Sequence, residues 1–570
     1  MRTDPKHDAV LECTERHQIV LAPPGAGKTH VSVRLAGHLA STLPGHSRVL
    51  LLTFSRQARS QLEREAAAQL PSQVRQRVEI TNYHRLFWTA VRSYRRLLDL
   101  PMALDIGSRR RRGEALARAS PEAVVALERH SGLLESLADH AFPAFRDRRT
   151  PRDSLEVLLD AIEAEYRAGF LVFDDLGALF WRLLEQHQPV ADAYAERYPI
   201  VIADEHQDAS ALQDAVARRF GQQRLVVLGD TMQLIHEYRG ADRDRFVKHR
   251  QEAAREHQLV TPHRWERVNP SAGRWLTQVR NALYGRHATR GLRPDAVVWR
   301  NYPEAWEGRG VANRVVQEVR DARATRTIRS IAVLVRRRDD INPIEKQLLT
   351  AGYFPRRVSG SEFEDARREI EKLPTLKTIA TVRRYALERL RRLCPTFDSD
   401  LMRQLRDRLR VREIKPRGAA PRALPFLRAM QPIYEHGAAG YLHSMSALLA
   451  ASKDAGFSCP RSQQARTIRD AAAQLEPGCD LPTALATYAD IVRRAAMAPQ
   501  PTDRGIFLMT AHQSKGKEFD AVVVARFSEE RWPDDEETRR LLYVALTRAT
   551  RRWCFVAPDR SPSPLGALLP

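Results

Sequence analysis

Ile19-Val20-Leu21-Ala22-Pro23-Pro24-Gly25-Ala26-Gly27-Lys28-Thr29 is the stretch on which the reading of this chain turns. Ile19–Leu21 is a short apolar strand, the next residues form a loop rich in proline and glycine, and residues from His30 to Ala40 suit a helix. Glycines in such a loop let backbone N–H groups turn inward at the helix N-terminus, where they cradle phosphate oxygens. On this reading Ala22, Pro23, Pro24, Gly25, Ala26, Gly27, Lys28, Thr29 and His30 surround a nucleotide. Lys28 bridges the β- and γ-phosphates, and the Thr29 hydroxyl coordinates Mg²⁺. The strict signature begins with glycine, and this chain has Ala22 there. The lysine is informative, because only 10 of the 92 Lys and Arg residues are lysine and a guanidinium does not replace a compact ammonium in that slot.

A phosphate loop needs an acidic partner on a neighbouring strand. Ile200-Val201-Ile202-Ala203-Asp204-Glu205-His206-Gln207-Asp208 supplies an apolar strand ending in two carboxylates. Asp204 is placed to hold the hydrated Mg²⁺ and Glu205 to orient an attacking water. His206 is read as positional, since alternation along an extended chain turns its side chain away from its neighbours.

Further continuous apolar runs occur at 49–52, 225–228, 331–335, 506–509, 521–524 and 553–556. Such runs alternating with helical sequence indicate parallel sheets covered on both faces, an α/β class. Two helix-rich stretches dominated by Ala, Leu, Glu and Arg interrupt them. The expected architecture is two α/β cores, each carrying a mainly helical insertion. The boundaries are 1–88 with 199–265 for the first domain and 89–198 for its insertion. The second domain takes 266–362 with 504–570, and its insertion takes 363–503.

The 570 residues provide an ample core, and a hydrophobic content of 43% excludes wholesale disorder. No apolar run reaches the roughly 18–20 residues needed to span a bilayer, and the start lacks a signal-peptide pattern. Cys13, Cys394, Cys459, Cys479 and Cys554 show no C-x-x-C spacing, which argues against a disulfide scaffold, a zinc ribbon or a tightly spaced iron–sulfur motif. A reducing cytoplasm is the expected home. The formal charge of +22 points to a polyanionic partner, for which nucleic acid is the usual candidate, although the arginine excess also owes something to composition.

The motifs together resemble superfamily 1 helicases of the UvrD/Rep/PcrA type. The matching segments are APPGAGKT (22–29), TFSRQARSQL (53–62), TNYHRLF (81–87), DEHQD (204–208), LGDTMQLIHEYRGA (228–241), TPHRW (261–265), TAHQSKGKEFD (510–520) and EETRRLLYVALTRA (536–549). AGYFPRRVSGSEFEDARREI (351–370) resembles the stretch that precedes the family's second insertion. The resemblance implies two RecA-like domains closing around ATP and Mg²⁺. It makes Gln233 the sensor of the γ-phosphate and Arg264 and Arg548 the cations that stabilise transition-state charge. Gly516 would approach the phosphates by its backbone, and Glu518 would accept from the ribose hydroxyl. Phe54, His84, Tyr238, Arg239 and His512 would track single-stranded DNA by stacking and charge. For Arg548 the spacing adds support. A helix from Glu536 would turn Leu541, Ala545 and Leu546 to the core and align Arg540, Val544 and Arg548 on another face.

The chain departs from the family at the base end of the nucleotide. Lys6 or His7 stands where a glutamine usually reads adenine, and His30 stands where arginine is usual. The implied activity is ATP-driven 3′→5′ movement on single-stranded DNA with unwinding at duplex junctions, in repair, recombination or phage defence. The basic clusters at 109–112 and 383–417 are candidates for duplex contact. The alternative is a DNA-activated NTPase sensor that regulates a partner nuclease in an antiphage system without processive unwinding.

Overall fold

The computed structural model describes residues 4–107, 112, 161–173, 175–235, 244–252, 255–285, 294–357, 361–394, 397–408, 421–457, 463–476, 478–497 and 504–569. Its strands are β1 (His17–Leu21), β2 (Val49–Thr53), β3 (Val78–Asn82), β4 (Asp105–Ile106), β5 (Phe170–Leu171), β6 (Ile200–Ala203) and β7 (Arg224–Gly229). They continue with β8 (Arg255–Gln258), β9 (Val297–Tyr302), β10 (Ser330–Val335), β11 (Pro355–Arg357), β12 (Gly505–Thr510), β13 (Phe519–Val524) and β14 (Ala549–Pro558). The chain divides into two compact units. Unit 1 comprises Met1–Pro294, Asp534–Thr550 and Ala567–Pro570, and unit 2 comprises Asp295–Pro533 and Arg551–Gly566.

Unit 1 is built on a parallel sheet in the order β3-β2-β6-β7-β1-β8. The apolar runs explain why it is covered on both faces. Ile19, Leu50, Leu52, Val201, Ala203, Leu225 and Val227 join one buried core, together with Phe87, Phe180, Leu183 and Phe220. The alternate residues Val20, Val49, Leu51, Ile200, Ile202, Val226 and Leu228 enter a second core with Val31, Leu35 and Leu39 from the helix Lys28–Thr42. Each such buried side chain contributes roughly 1.5–3 kcal/mol, so the helix after the phosphate loop is fixed by its buried face. The helices Tyr83–Ser93 and Asp175–Gln186 pack into the first of these cores. In the stretch 89–198, expected as a helical insertion, β4 and β5 form a short parallel pair, and buried Arg112 donates to both oxygens of Asp175 at 2.6 and 2.7 Å.

Residues 266–294 and 534–550, expected with the second motor domain, cluster with unit 1 instead. The helix Glu536–Leu546, capped by Asp535, packs against the helix Pro270–Leu283, and the Tyr284 and Tyr543 rings meet edge to face at 6.2 Å. Chain order does not reveal this packing.

In unit 2 the sheet runs β11-β12-β10-β13-β14-β9, with the pairs β11·β12, β12·β10, β10·β13 and β14·β9 parallel. Ile331, Val333, Val335, Leu508, Val523 and Val556 pack under the helices Glu307–Ala324 and Ile341–Thr350. A separate helical core includes Leu387, Leu390, Met445, Leu448 and Ile468. Within it buried Glu369 accepts from Arg389 at 2.7 Å, Tyr441 at 2.8 Å and Tyr488 at 2.7 Å, so its charge is paired and hydrogen-bonded. Cys394 is disulfide-bonded, whereas Cys13, Cys479 and Cys554 are free. Spacing could not have revealed that bond, because Cα separation in the fold decides pairing. No helix among the described residues is long and apolar enough to cross a membrane.

Candidate nucleotide and nucleic-acid site

β1 delivers the phosphate loop at its carboxyl end, between β7 and β8, where open α/β sheets bind ligands. Gly25 and Gly27 have φ of +78° and +81°, a left-handed backbone that side-chain-bearing residues rarely adopt. The loop is also tight. A Cβ on Gly25 would lie 2.7 Å from Trp265 Cζ3 and 2.9 Å from Arg264 Cβ, and one on Gly27 would lie 2.7 Å from His7 Cε1. Ala22 is buried in the core beside Val20 and Val31, and its φ is not positive, so the missing glycine costs the loop nothing.

Lys28 opens the following helix and points at the end of β6. Its Nζ lies 2.6 Å from Glu205 Oε1 and 3.6 Å from Asp204 Oδ1. Burial disfavours the ammonium charge, but the two carboxylates outweigh it and hold Lys28 well above the usual lysine range. Burial, only partly offset by Lys28, pushes Asp204 up to about 6, and the Glu205 charge adds to the rise. Asp204 Oδ1 is buried and, among the described residues, accepts no hydrogen bond beyond its ion pair with Lys28 at 3.6 Å. A hard carboxylate oxygen in that state, 3.6 Å from the Lys28 ammonium of the phosphate loop, fits Mg²⁺ chemistry.

Glu205 has φ +55° and is steered by Gln207, whose Nε2 donates to Glu205 Oε2 at 2.6 Å. Gln207 Oε1 in turn accepts from Asp230 N at 3.1 Å, which links the end of β6 to the turn after β7. From that turn Gln233 donates to Asp230 Oδ2 at 3.1 Å and accepts from Arg548 Nη2 at 3.1 Å. Arg264 N donates to Gly25 O at 3.2 Å, and its Nη1 donates to Thr547 O at 3.0 Å. Lys28, Asp204, Glu205, Gln233, Arg264 and Arg548 therefore all belong to unit 1.

The surroundings of Arg548 correct the helical-face argument. The helix stops at Leu546, Arg548 lies beyond its end, and Arg540, Val544 and Arg548 are all buried. Arg548 Nε donates to Val544 O at 2.9 Å and Nη2 to Thr547 Oγ1 at 2.9 Å, so a helix-end turn aims it. Extending the 3.6-residue period past the real helix end is what misplaced it.

At the base end, His7 is buried and its Nε2 lies 3.1 Å from Ala26 O, while Asp4 Oδ2 pairs with His263 Nε2 at 2.9 Å. Lys6, the other residue considered there, is exposed at the start of the first helix, Pro5–Glu12. His30 faces Glu65 and Gln69 of the helix Arg56–Gln69, with Nδ1 3.2 Å from Glu65 Oε1 and 2.9 Å from Gln69 Nε2. Burial lowers the His7 pKa and disfavours its charged form.

Of the expected strand-tracking residues, Phe54 is half-buried against Tyr83 at 5.3 Å, and His84 is exposed. The ring of Phe173, 47% exposed, meets His84 edge to face at 6.2 Å. Sequence reasoning missed Phe173, because it ends the apolar run Phe170-Leu171-Val172-Phe173 and reads as core. Tyr238 and Arg239 lie outside the described residues. His512, Gly516 and Glu518 belong to unit 2, where His512 is half-buried and Gly516 and Glu518 are exposed. Gly516 has φ +76° with open space around it.

Residues 3–254 match the UvrD/REP helicase N-terminal domain, and residues 505–556 match the UvrD-like helicase C-terminal domain. The chain is 22% identical to the ATP-dependent DNA helicase PcrA of Leuconostoc citreum, over 96% of this chain and 80% of that protein. It is 24% identical to the putative ATP-dependent DNA helicase YjcD of Bacillus subtilis strain 168, over 96% and 78%. It is 26% identical to the ATP-dependent DNA helicase UvrD2 of Mycobacterium tuberculosis H37Rv, over 93% and 75%.

Proposed function

The chain belongs to the UvrD/Rep/PcrA helicases, ATP-hydrolysing enzymes that act on DNA, and on that premise we propose that it moves 3′→5′ along single-stranded DNA and opens duplex junctions. The observation that carries the reading is the meeting of Lys28, Asp204, Glu205, Gln233 and Arg548 around one phosphate loop. Backbone N–H groups of residues 25–29 and the Lys28 ammonium bind the phosphates. Thr29 and Asp204 would hold Mg²⁺, which when bound neutralises phosphate charge. Glu205, fixed by Gln207, accepts a proton from the attacking water and sets its line of approach. Gln233 and Arg548, already hydrogen-bonded to each other, answer to the γ-phosphate, and Arg264 adds a second cation beside Gly25. Cations so placed contribute about 10³–10⁵ in rate.

In this reading His84 and Phe173 offer exposed ring faces for bases, with Phe54, Tyr238, Arg239 and His512 completing the track. The division into two motor domains and two insertions belongs to the same proposal. So do the roles of Gly516 at the phosphates and Glu518 at the ribose.

The test is strand displacement from 3′-tailed, 5′-tailed and blunt duplexes, with Lys28→Ala as the control. Displacement from 3′ tails alone is expected. Displacement from 5′ tails alone would overturn the polarity. DNA-stimulated ATP hydrolysis without displacement from any substrate would favour the NTPase sensor acting on a partner nuclease.

A further inference from the structure

The side chain of His206 takes no part in the phosphate site, although it follows Glu205 directly. Its ring is fully buried, and Nε2 lies 2.9 Å from Asp214 Oδ1 in the helix Ala211–Phe220. We propose that His206 is a positioning residue, which holds Glu205 in its left-handed backbone by tying the turn after β6 to buried Asp214. The proposal rests on the reading of Glu205 as the residue that orients water.

Three observations converge on it. First, Glu205 is one of three non-glycine residues with positive φ among those described, and such a backbone persists where its surroundings over-determine it. Asp204 N is fixed to Leu52 O at 2.8 Å on one side, so the opposing restraint has to come from residues after Glu205. Second, Asp214 is itself immobilised. Its Oδ1 also faces His249 Nε2 at 2.9 Å, and its Oδ2 accepts from Arg218 Nε at 2.9 Å and Arg245 Nη1 at 3.2 Å. Because a carboxylate oxygen only accepts, both imidazoles carry their proton on Nε2. His249 Nδ1 then accepts from His17 Nε2 at 2.8 Å, and His17 begins β1, the strand that feeds the phosphate loop. Arg245 Nη2 donates to Ala209 O at 3.0 Å, and Glu252 pairs with Arg218, which closes the network around the turn. Third, His206 Nδ1 takes no hydrogen bond among the described residues, so the ring's polar contacts all run through Nε2, which lies 2.9 Å from Asp214 Oδ1 and 3.2 Å from His249 Nε2. The ring also packs edge to face on Phe246 at 6.4 Å, a contact that any aromatic side chain would keep.

Two substitutions separate the bond from the packing. His206→Phe keeps a ring and loses the donor, whereas His206→Gln loses the ring and keeps an amide N–H of similar reach. The assay is steady-state ATP hydrolysis by the full chain with saturating oligo(dT), alongside thermal unfolding. For His206→Phe, kcat should fall at least about 10-fold with KM for ATP within about 3-fold, the pattern of a contact used in the chemical step rather than in binding. His206→Gln should retain kcat within about 3-fold of the parent. Unchanged kcat in His206→Phe overturns the proposal, as does a loss in His206→Gln as large as that in His206→Phe. Where His206→Phe does not fold, His206→Gln decides alone by the same limits. Glu205→Gln is a separate arm. Retained turnover there would refute the role of Glu205 itself, whatever the His206 variants do.

Discussion

Gly25→Ala tests how the phosphate loop is held, and its cost follows from the geometry. Gly25 sits at φ +78°, where a Cβ costs about 1–2 kcal/mol. That Cβ would also lie 2.7 Å from Trp265 Cζ3 and 2.9 Å from Arg264 Cβ. Relief requires a shift of roughly 0.7 Å to reach an ordinary carbon–carbon contact of about 3.4–4 Å. Trp265 cannot easily give way, because it is buried and its indole N–H donates to Ala549 O at 2.9 Å. The loop therefore moves, carrying the N–H groups that cradle phosphate. A misplacement near 1 Å costs about 10²-fold in rate, so DNA-stimulated kcat for ATP should drop about 30–100-fold. Trp265→Leu in the same chain removes the worst clash, and the double variant should recover about 5-fold relative to Gly25→Ala, a coupling of about 1 kcal/mol. A Gly25→Ala enzyme within about 3-fold of the parent, or a double variant with no recovery, would refute the wedge of Trp265 against the loop.

Four other outcomes are expected. Glu205→Gln should lower turnover by at least about 10²-fold while an ATP analogue still binds by fluorescence titration. His84→Ala and Phe173→Ala should each weaken oligo(dT) binding by about 1–3 kcal/mol per lost stack, with DNA-independent ATP hydrolysis unchanged. His7 faces the phosphate-loop carbonyl rather than serving as an amide reader of adenine, so kcat/KM for GTP should fall within about 10-fold of that for ATP. Burial first, then the nearby His249 and Arg218 charges, lowers the His17 pKa to about 4. The unfolded chain therefore binds the extra proton below its ordinary pKa of about 6.5, and stability is lost as pH falls from there toward 4. The loss is roughly 3 kcal/mol, and urea titrations of His17→Gln should show a shallower decline over that window.

What the sequence disclosed follows from burial. The central strands β1, β2, β6, β7, β10, β12 and β13 are legible because helices cover both faces and leave continuous apolar runs. β3 and β8, the edges of one sheet, and β9 and β11, the edges of the other, escape that reading. β8 is the extreme case: Arg255-Glu256-His257-Gln258 has no apolar residue, yet it pairs in register with Gln18–Leu21. Edge strands are part-solvated and their charged side chains discourage further pairing, so hydrophobic pattern cannot mark them. In the site, Lys28, Asp204 and Glu205 are legible because each belongs to a local motif that follows directly on an apolar strand. The bond between Gln233 and Arg548, 315 residues apart, is a product of tertiary packing. So is the exposure of Phe173, since an apolar residue gives no sign in sequence of facing water.

The most direct test of the central claim is translocation on oligo(dT) of increasing length carrying a fluorophore at one end. With ATP, the time at which the protein reaches a 5′-end label should grow linearly with length, and Lys28→Ala should show no such signal. A length-dependent delay at a 3′-end label instead, or no length dependence at either end in an enzyme that still hydrolyses ATP, would contradict the account.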